Sequence, residues 1–520
     1  MRLTLLLSSL SLSLLASAAA AQLAQPGQPA TSRHAHALAS ELPAFVLPRP
    51  DVARYLAEDE AGGNWPYRYG AVIPTTLSSD DAGTWEELPT GELVWRLRLT
   101  SPGARSLGVL FGEYELPAGG RLFVYDQART QVLGAFTNAT RQPNGMLAVQ
   151  PVFGDDLTLE YVQDAAERGK PRLRLAEVVH DYRGILDAVR VNAPQSLMAG
   201  CLVDVNCAQG APYQDVKRAV VLVLFSGSYC SAGMLNNTAG DGTPYFLTAN
   251  HCGNMTNGVL VFGYENAACG SGGSSQANTV SGATLLANSN QFDSQLYLLS
   301  SPPPASFQPF YAGWDRSTNP PGPSISISHP NALPKKIAGD SDAPTLNGTR
   351  FQAIWDYGKL EPGSSGSPLF SGAKRVIGPA CCVSDFTCRS QWAIYGRFGG
   401  FWQQQNLAQW LDPLSANPQT LDGLDLAPAQ ALPYNGSGSN LQLYVSTTPP
   451  ALGTSWNASI DASLVPFTTS TWIFGYVTPS AGSFTPWGEL LVSTASPRLF
   501  VSIAPAAGGA SLHSNPIPNL

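Results

Sequence analysis

Residues 360–370 read LEPGSSGSPLF and hold two glycines and three serines between two prolines, before the chain turns apolar. A run of this composition is usually a flexible linker. It is also what a tight catalytic turn requires, because glycine adopts backbone angles that other residues avoid. Gly363 and Gly366 flank Ser364 and Ser365, so two N–H groups could face one point and stabilise the oxyanion formed when a serine attacks a carbonyl. The rest of the chain decides between these interpretations.

A histidine that could serve such a serine lies in residues 245–254, YFLTANHCGN. His251 follows an apolar strand and precedes Cys252, so the imidazole sits at a strand end. Histidine can take up and return a proton near neutral pH, which a serine nucleophile requires. Taken alone, a histidine beside a cysteine is more often structural. A zinc site would need further His or Cys ligands at close spacing, and this stretch has no CxxC or HxxxH pattern.

Asp293 begins the alternating stretch DSQLYLL at 293–299. An aspartate at a strand start is most often a turn residue, but a buried carboxylate can also orient a catalytic histidine. His251, Asp293 and Ser365 occur in this order, 42 and 72 residues apart, which suits a two-barrel protease with histidine and aspartate on the first barrel. An α/β-hydrolase would need G-x-S-x-G with the histidine last, and a subtilisin-type enzyme would place aspartate before histidine.

The composition indicates an all-β protein of several domains. The chain has 520 residues, a length that suggests about three domains. It has 13% charged and 44% hydrophobic residues, 50 Gly and 42 Pro. This balance is typical of exported, turn-rich β proteins. The net charge of -8 and the lack of a Lys/Arg block argue against a nucleic-acid partner or an anionic membrane. No membrane anchor is expected.

The first residues and the cysteines indicate export. Residues 1–21 have a positive start, a Leu/Ser/Ala apolar run and small residues before Gln22, which predicts a secretory signal peptide. All eight cysteines lie between Cys201 and Cys388, so one domain is built for an oxidising exterior. The mature protein is therefore predicted to be secreted.

Strand-like runs and turns divide the remaining chain. Residues 22–198 lack cysteine and alternate around Pro-Gly and Gly-Gly turns, which predicts a β-sandwich. Residues 199–425 carry short strand patterns and one C-terminal helix in FWQQQNLAQWLDP at 401–413. Residues 426–440 are a linker by composition, and residues 441–520 are predicted to form a small accessory β-domain.

Eight motifs in order give the region from about 200 to 425 a resemblance to a known family. They are TANHC, DSQLYLL, YAGWDR, HPN, EPGSSGSPLF, KRVIG, QWLDP and DGLD. The region resembles the chymotrypsin-like (trypsin-like) serine endopeptidases, and among them the bacterial secreted lysyl endopeptidases. The resemblance implies two β-barrels, with Ser365 as nucleophile, His251 as general base and acid, and Asp293 as its partner. It further implies Gly363 and Ser365 as donors to the oxyanion, and no cofactor.

The same resemblance implies a disulfide framework. Sequence alone leaves 105 pairings of eight cysteines open. The family pattern implies three pairs: Cys201 with Cys388, Cys207 with Cys269, and Cys230 with Cys252. Cys381 and Cys382 are left over, and a vicinal disulfide, two free thiols or a link to another chain all stay open.

The chain departs from the family at the specificity pocket. The position that is acidic in lysyl enzymes is Ala393 here, and an alanine cannot neutralise a buried ammonium. The substrate-flanking strand is Cys381-Cys382-Val383, and Lys359 precedes the nucleophile by six residues. If Lys359 points outward, which we favour, the pocket accepts small or apolar side chains. If it points inward, the pocket selects an acidic side chain.

A second departure concerns activation. Trypsin-type zymogens use an aspartate just before the nucleophile, and here that residue is Ser364. We therefore predict that residues 22–198 form a pro-region that assists folding, covers the cleft and is removed near residues 196–200. The predicted protein is a monomeric secreted serine endopeptidase made as a zymogen and acting on proteins or peptides. The alternatives are a catalytically inactive protease-fold binding protein and a surface adhesin.

Overall fold

The structure is a computed structural model of the 520-residue chain. It describes residues 27–61, 66–167, 169–187, 201–386, 388 and 391–426, and seven strands between residues 444 and 516. The predicted signal peptide, the predicted cleavage region near 196–200 and residues 427–440 of the predicted linker lie outside the described residues. The chain divides into two compact units, Met1–Asp425 and Leu426–Leu520.

Alternating apolar residues build two sheets in the described part of residues 27–187. The strands are β1 (Ala44–Val46), β2 (Gly70–Pro74), β3 (Thr84–Glu87), β4 (Leu93–Thr100), β5 (Ser106–Glu115), β6 (Arg121–Asp126), β7 (Val132–Phe136), β8 (Leu147–Phe153), β9 (Asp156–Gln163) and β10 (Arg172–Asp181). One sheet has the order β1-β4-β9-β6-β7 with β3 also on β4, and the other has the order β2-β10-β5-β8. Side chains from both sheets, such as Trp95 and Phe111, share one buried apolar cluster.

Residues 201–425 form two larger sheets. Their strands are β11 (Val203–Asp204), β12 (Val220–Phe225), β13 (Ser228–Leu235), β14 (Tyr245–Thr248), β15 (Val259–Val261), β16 (Thr279–Ser281), β17 (Ala283–Ser289), β18 (Ser294–Leu299), β19 (Phe310–Tyr311), β20 (Trp314–Asp315), β21 (Ser324–Ser328), β22 (Lys336–Asp340), β23 (Thr345–Asn347), β24 (Arg350–Ile354), β25 (Pro368–Phe370), β26 (Val376–Val383), β27 (Trp392–Gly396), β28 (Thr420–Leu421) and β29 (Leu424–Asp425). The first sheet runs β16-β15-β12-β13-β14-β18-β17. The second runs β11-β22-β21-β25-β26-β27-β24-β23 and also includes β20 and β28. The mostly β fold is confirmed, whereas the closure of these sheets into two barrels stays a prediction.

The helices are short. They are Ala30–Arg33, Val52–Glu60, Phe398–Gln405 and Ala408–Leu411, with 3-10 turns at Ala35–Ala37, Asn138–Thr140, Ala208–Tyr213, Val216–Ala219, Asn250–Cys252, Ala305–Phe307 and Pro330–Ala332. The expectation of one continuous helix over 401–413 is wrong, because Asn406 has φ +50° and ends the first helix. Asparagine is among the few residues that adopt this left-handed conformation readily. None of the helices in the described ranges is long and apolar enough to cross a membrane.

The two sheets of residues 201–425 share one apolar core. It includes Val221 of β12, Leu296 of β18, Ile325 of β21 and Phe370 of β25, all nearly inaccessible to solvent. Burial of such side chains contributes about 1.5–3 kcal/mol each. The core fixes the loops at the strand ends between the sheets, and these loops carry the candidate site.

The second unit contains the seven described strands. They are β30 (Tyr444–Ser446), β31 (Ser455–Asp461), β32 (Ser470–Tyr476), β33 (Pro479–Thr485), β34 (Gly488–Val492), β35 (Arg498–Pro505) and β36 (Ala510–Pro516). Three sheets are formed, β30-β31-β36, β32-β35 and β33-β34.

Candidate active site

Three strand ends bring the predicted catalytic residues together. His251 lies in the turn Asn250–Cys252 that follows β14, and Asp293 immediately precedes β18. Thr248 at the end of β14 is paired with Gln295 near the start of β18. His251 and Asp293 therefore meet at one end of two neighbouring strands, and Ser365 reaches them from the loop before β25 of the other sheet.

The three side chains form one hydrogen-bonded line. Nδ1 of His251 is 2.7 Å from Oδ2 of Asp293, and Nε2 of His251 is 2.8 Å from Oγ of Ser365. The main-chain N–H of His251 also donates to Oδ1 of Asp293 at 2.8 Å. Because an ionised carboxylate only accepts hydrogen bonds, Nδ1 carries the ring proton and Nε2 is left to accept from Ser365. A proton can thus pass from the Ser365 hydroxyl to the imidazole.

Asp293 is held in its charged form. Burial acts to raise the pKa of this carboxyl, but hydrogen bonds from His251 and the charge of Arg350 lower the pKa below its usual value overall. Nη1 of Arg350, on β24, is 3.7 Å from Oδ2 of Asp293. No local sequence pattern predicts this arginine, which lies far along the chain from Asp293. A carboxylate of this kind stabilises a protonated histidine beside it.

The serine loop supplies two main-chain donors. Gly363 and Gly366 have φ of +89° and +82°, which other residues rarely adopt. The N–H of Gly366 donates to the carbonyl of Ala380 on β26. By contrast, no acceptor among the described residues takes the N–H of Gly363 or Ser365. These two groups are therefore available for a substrate oxygen.

Residues that the sequence analysis missed hold this loop in place. The hydroxyl of Ser231 donates to the Gly363 carbonyl at 2.9 Å, and its main-chain N–H donates to the Ser365 carbonyl at 2.8 Å. The N–H of His329 donates to the Ser231 hydroxyl at 3.0 Å. The ring of Tyr229 packs against Gly363, where an added Cβ would lie 2.2 Å from Cε2. No local pattern in the sequence distinguishes these supporting residues.

Ser364, which precedes the nucleophile candidate, is buried and has polar partners. Its Oγ lies 3.0 Å from Oγ of Ser328, and it accepts from the N–H of Glu361 at 3.3 Å. Ser364 and Ser328 are therefore a pair of neutral hydroxyls. Ser364 occupies the position at which trypsin-type zymogens have an aspartate, which would require a cationic partner.

The predicted pocket residues surround the end of β26. Cys381 and Val383 are partly buried, and Cys382 is exposed. Val383 is paired with Ala393 of β27, and Ala393 is fully buried in an apolar cluster against which Val383 packs. This wall offers methyl groups and no carboxylate.

The Lys359 ammonium is already neutralised. Its Nζ forms an ion pair with the carboxylate of Glu361 and donates to the carbonyl of Phe386 at 2.8 Å. Its side chain is only 11% exposed. The sequence analysis missed Glu361. Selection for an acidic substrate side chain would have to compete with this resident carboxylate.

Four disulfides join the cysteines. They are Cys201–Cys388, Cys207–Cys269, Cys230–Cys252 and Cys381–Cys382. The first three are the pairs that the family resemblance implies. The third links β13 to the turn that carries His251, and the fourth is one of the three alternatives left open by the sequence.

One group of potential metal ligands occurs in the described part of the chain. Ligand atoms of His251, Asp293 and Cys381 lie within 4.8 Å of one another. The sulfur of Cys381 is bonded to Cys382, so it is not the thiolate that a metal prefers. The His251 imidazole and the Asp293 carboxylate are hydrogen-bonded to each other. We therefore describe these residues as part of the hydrogen-bonded site rather than as a metal site.

Comparison with known proteins gives a family match to the same region. Residues 198–390 match the family model "Lysyl endopeptidase, C-terminal domain". This match supports a serine endopeptidase family for the region that carries His251, Asp293 and Ser365. It ends before Ala393, so it does not extend to the position at which lysine selection is expected to be lost.

Solved structures of serine proteases are also similar to this chain. A thermostable serine protease AL20 from an extremophilic microorganism is 15% identical, with 39% of this chain and 99% of that chain covered and a TM-score of 0.29. A Glu endopeptidase is 16% identical, with 40% and 96% covered and a TM-score of 0.29. The Rv3671c protease from M. tuberculosis in its active form is 14% identical, with 39% and 83% covered and a TM-score of 0.26. The family match, rather than these likenesses, supports the assignment.

Proposed function

We propose that this protein is a secreted serine endopeptidase that cleaves peptide bonds through an acyl-enzyme. The observation that carries the proposal is the unbroken line of hydrogen bonds from Ser365 through His251 to Asp293. The order of the three residues and the family match to residues 198–390 support it.

Each group has one task in the proposed reaction. Oγ of Ser365 attacks the substrate carbonyl carbon while Nε2 of His251 takes the hydroxyl proton. The N–H groups of Gly363 and Ser365 donate to the oxyanion that forms. His251 then gives its proton to the leaving amine, which breaks the peptide bond and leaves an ester on Ser365. Water repeats the sequence and releases the acid, while Asp293 stabilises the protonated ring.

The proposed selectivity is for a small or apolar residue before the scissile bond. The family resemblance assigns Ala393 and Val383 to the pocket, and the apolar cluster that contains Ala393 and packs against Val383 supports an apolar wall there. Lys359 is paired with Glu361, so it offers no free positive charge to an acidic side chain. A substrate lysine would find no carboxylate at position 393 and would be disfavoured by desolvation of its ammonium.

We further propose that residues 22–198 are a pro-region that assists folding and inhibits the enzyme until removed. Its contacts with the protease region support this role. Tyr69 and Leu110 share an apolar cluster with Leu222 and Val261, and all four are buried. The apparent signal peptide and the disulfides support export. The proposed protein acts as a monomer on protein substrates.

Cleavage-site profiling tests the proposed activity. A peptide library is digested with the wild type and with Ser365→Ala, and the residue before each cleaved bond is recorded. We expect small and apolar residues at this position and no cleavage by the variant above background. Unchanged proteolysis by Ser365→Ala would exclude the proposed mechanism, and frequent cleavage after lysine would exclude the proposed selectivity.

A further inference from the structure

Residues 67–70 lie along Gly227 and the first two residues of β13 as a short added strand. The N–H of Tyr229 donates to the carbonyl of Tyr67 at 3.1 Å, and the N–H of Tyr69 donates to the carbonyl of Gly227 at 2.7 Å. Arg68 pairs with Ser228 in an antiparallel bridge. These are the main-chain groups that a sheet edge offers to a bound extended peptide.

The start of β13 leads directly to the serine loop. Ser231, two residues beyond Tyr229, donates its N–H to the Ser365 carbonyl at 2.8 Å. The Tyr229 ring packs against Gly363 closely enough that a Cβ at Gly363 would lie 2.2 Å from Cε2. On its other side the serine loop pairs with β26, which carries the candidate pocket wall. The loop thus has a pocket flank at β26 and a second flank at residues 227–229.

The two flanks have different tasks during cleavage. The pocket flank, with Val383 and Ala393, holds the residue before the scissile bond. The amine released from the bond takes its proton from His251, and the chain attached to it must leave along the flank away from the pocket. We propose that residues 67–70 occupy this leaving path and exclude the corresponding segment of protein substrates while the N-terminal region is docked. This inference rests on the proposed function.

The body of the N-terminal region holds the segment in place. Tyr69 is 4% exposed and belongs to an apolar cluster shared with Val261 of β15. Its ring centroid is 6.5 Å from that of Tyr229. Beyond the segment, Nε2 of Gln142 donates to Oγ of Ser281 at 3.2 Å. Because the segment belongs to the same chain, its effective concentration exceeds that of a dissolved substrate, and the leaving path stays filled.

Two substrates distinguish blocking of the leaving path from blocking of the whole site. Both carry the same residues before the scissile bond. One continues with four residues beyond it, and the other ends there in a small chromogenic amine. Their kcat/KM values are measured on intact full-length protein, checked by mass, for the wild type, Tyr69→Ala and the control Phe45→Ala. Phe45 is an exposed aromatic residue of β1.

We expect Tyr69→Ala to raise kcat/KM for the extended peptide at least fivefold, because the loss of the buried ring loosens the segment. The value for the chromogenic amide should change by less than twofold, and Phe45→Ala should match the wild type on both substrates. An equal rise for both substrates, or no rise for either, would overturn the proposal.

A milder variant and a second measurement guard against misfolding of Tyr69→Ala. Tyr67→Ala truncates a partly buried ring and should shift the ratio of the two kcat/KM values in the same direction by a smaller factor. Hydrogen exchange of the Tyr229 amide should accelerate in both variants, since its acceptor is the Tyr67 carbonyl. Unaltered exchange would contradict the docking of the segment. Absence of hydrolysis of both substrates by every intact form would also overturn the proposal, because it would mean that the whole site is blocked. The proposed function is judged separately, by the cleavage-site profiling with Ser365→Ala described above.

Discussion

The candidate catalytic groups and the candidate pocket residues both adjoin the serine loop, but they are held in place in different ways. The His251 imidazole is held between Asp293 and Ser365 by hydrogen bonds of 2.7 and 2.8 Å. The predicted pocket residues include the small, buried Ala393 and Lys359, whose ammonium is paired with the Glu361 carboxylate. We therefore expect the proposed chemistry to depend on the positions of hydrogen-bonded groups, and the proposed selectivity to depend on the size and charge of the side chains at the predicted pocket.

The supports of the two regions differ in the same way. The serine loop is bonded on one side to Ser231 and on the other to Ala380, so its backbone cannot shift without losing main-chain hydrogen bonds. The pocket side depends on one ion pair and one carbonyl contact from Lys359. We expect changes on the catalytic side to reduce turnover and changes on the pocket side to alter substrate preference.

The largest effect is expected at the carboxylate of the catalytic side. Asp293→Asn removes the charge that stabilises the protonated imidazole and favours the wrong ring tautomer. We expect kcat to fall by about 10³–10⁴-fold, measured with a chromogenic peptide amide. The matched control is Asp340→Asn, a buried aspartate of β22 that accepts from the N–H of Ile354. A fall of less than tenfold in Asp293→Asn would contradict the assigned role.

A smaller loss of turnover is expected when a methyl group is added at Gly363 in the serine loop. Gly363→Ala places a Cβ 2.2 Å from the Tyr229 ring at a φ of +89°, so the loop must move. We expect kcat to fall by about 10²-fold with little change in KM. Gly348→Ala is the control, since its φ is +61° but nothing lies within 4 Å of the added Cβ. Equal activity of the two variants would contradict the proposal that the Tyr229 contact forces the oxyanion donors to move.

A substitution among the predicted pocket residues should change substrate preference rather than kcat. Glu361→Ala frees the Lys359 ammonium, which then attracts an acidic side chain before the scissile bond. We expect the ratio of kcat/KM for glutamate over alanine substrates to rise about tenfold, which is about 1.4 kcal/mol. Asp342→Ala, at an exposed acidic residue, should leave the ratio unaltered. If Glu361→Ala changes kcat for all substrates alike, the pocket and the catalytic loop are not separable.

The smallest effect concerns the free energy of unfolding at acidic pH, to which His329 contributes. Burial lowers the pKa of His329 from its usual 6.5 to about 3, with the charges of Lys335 and Lys336 acting in the same direction. The unfolded chain therefore binds a proton that the folded chain excludes, and stability falls as pH decreases through the ordinary pKa. We expect about 1 kcal/mol less free energy of unfolding at pH 5 than at pH 6 from this residue.

Denaturant unfolding of His329→Phe at both pH values measures this contribution. The pH dependence of the variant should be weaker than that of the wild type. His36→Phe, at an exposed histidine, is the control and should keep the wild-type dependence. An unchanged dependence in His329→Phe would mean that other groups account for acid sensitivity.

The structure brings His251, Asp293 and Ser365 together as the sequence predicts, because their neighbours in the chain carry a clear signal, while their catalytic roles stay a prediction. His251 is set by a strand end, and the serine loop by two glycines whose positive φ the structure shows. The supports are invisible in the sequence because they act over long separations, as between Ser231 and Gly363, which are 132 residues apart. The pairing of Lys359 with Glu361 could not be predicted either, since sequence does not determine the direction of a flexible side chain.

Labelling with a serine-directed fluorophosphonate tests the central claim most directly. The reagent is small, so it can reach the serine in the intact chain, and mass spectrometry of the digested protein locates the adduct. The account predicts one adduct, on Ser365, formed by the wild type and lost in His251→Ala because the base is absent. Absence of labelling in the wild type, an adduct on another residue, or equal labelling of His251→Ala would contradict it.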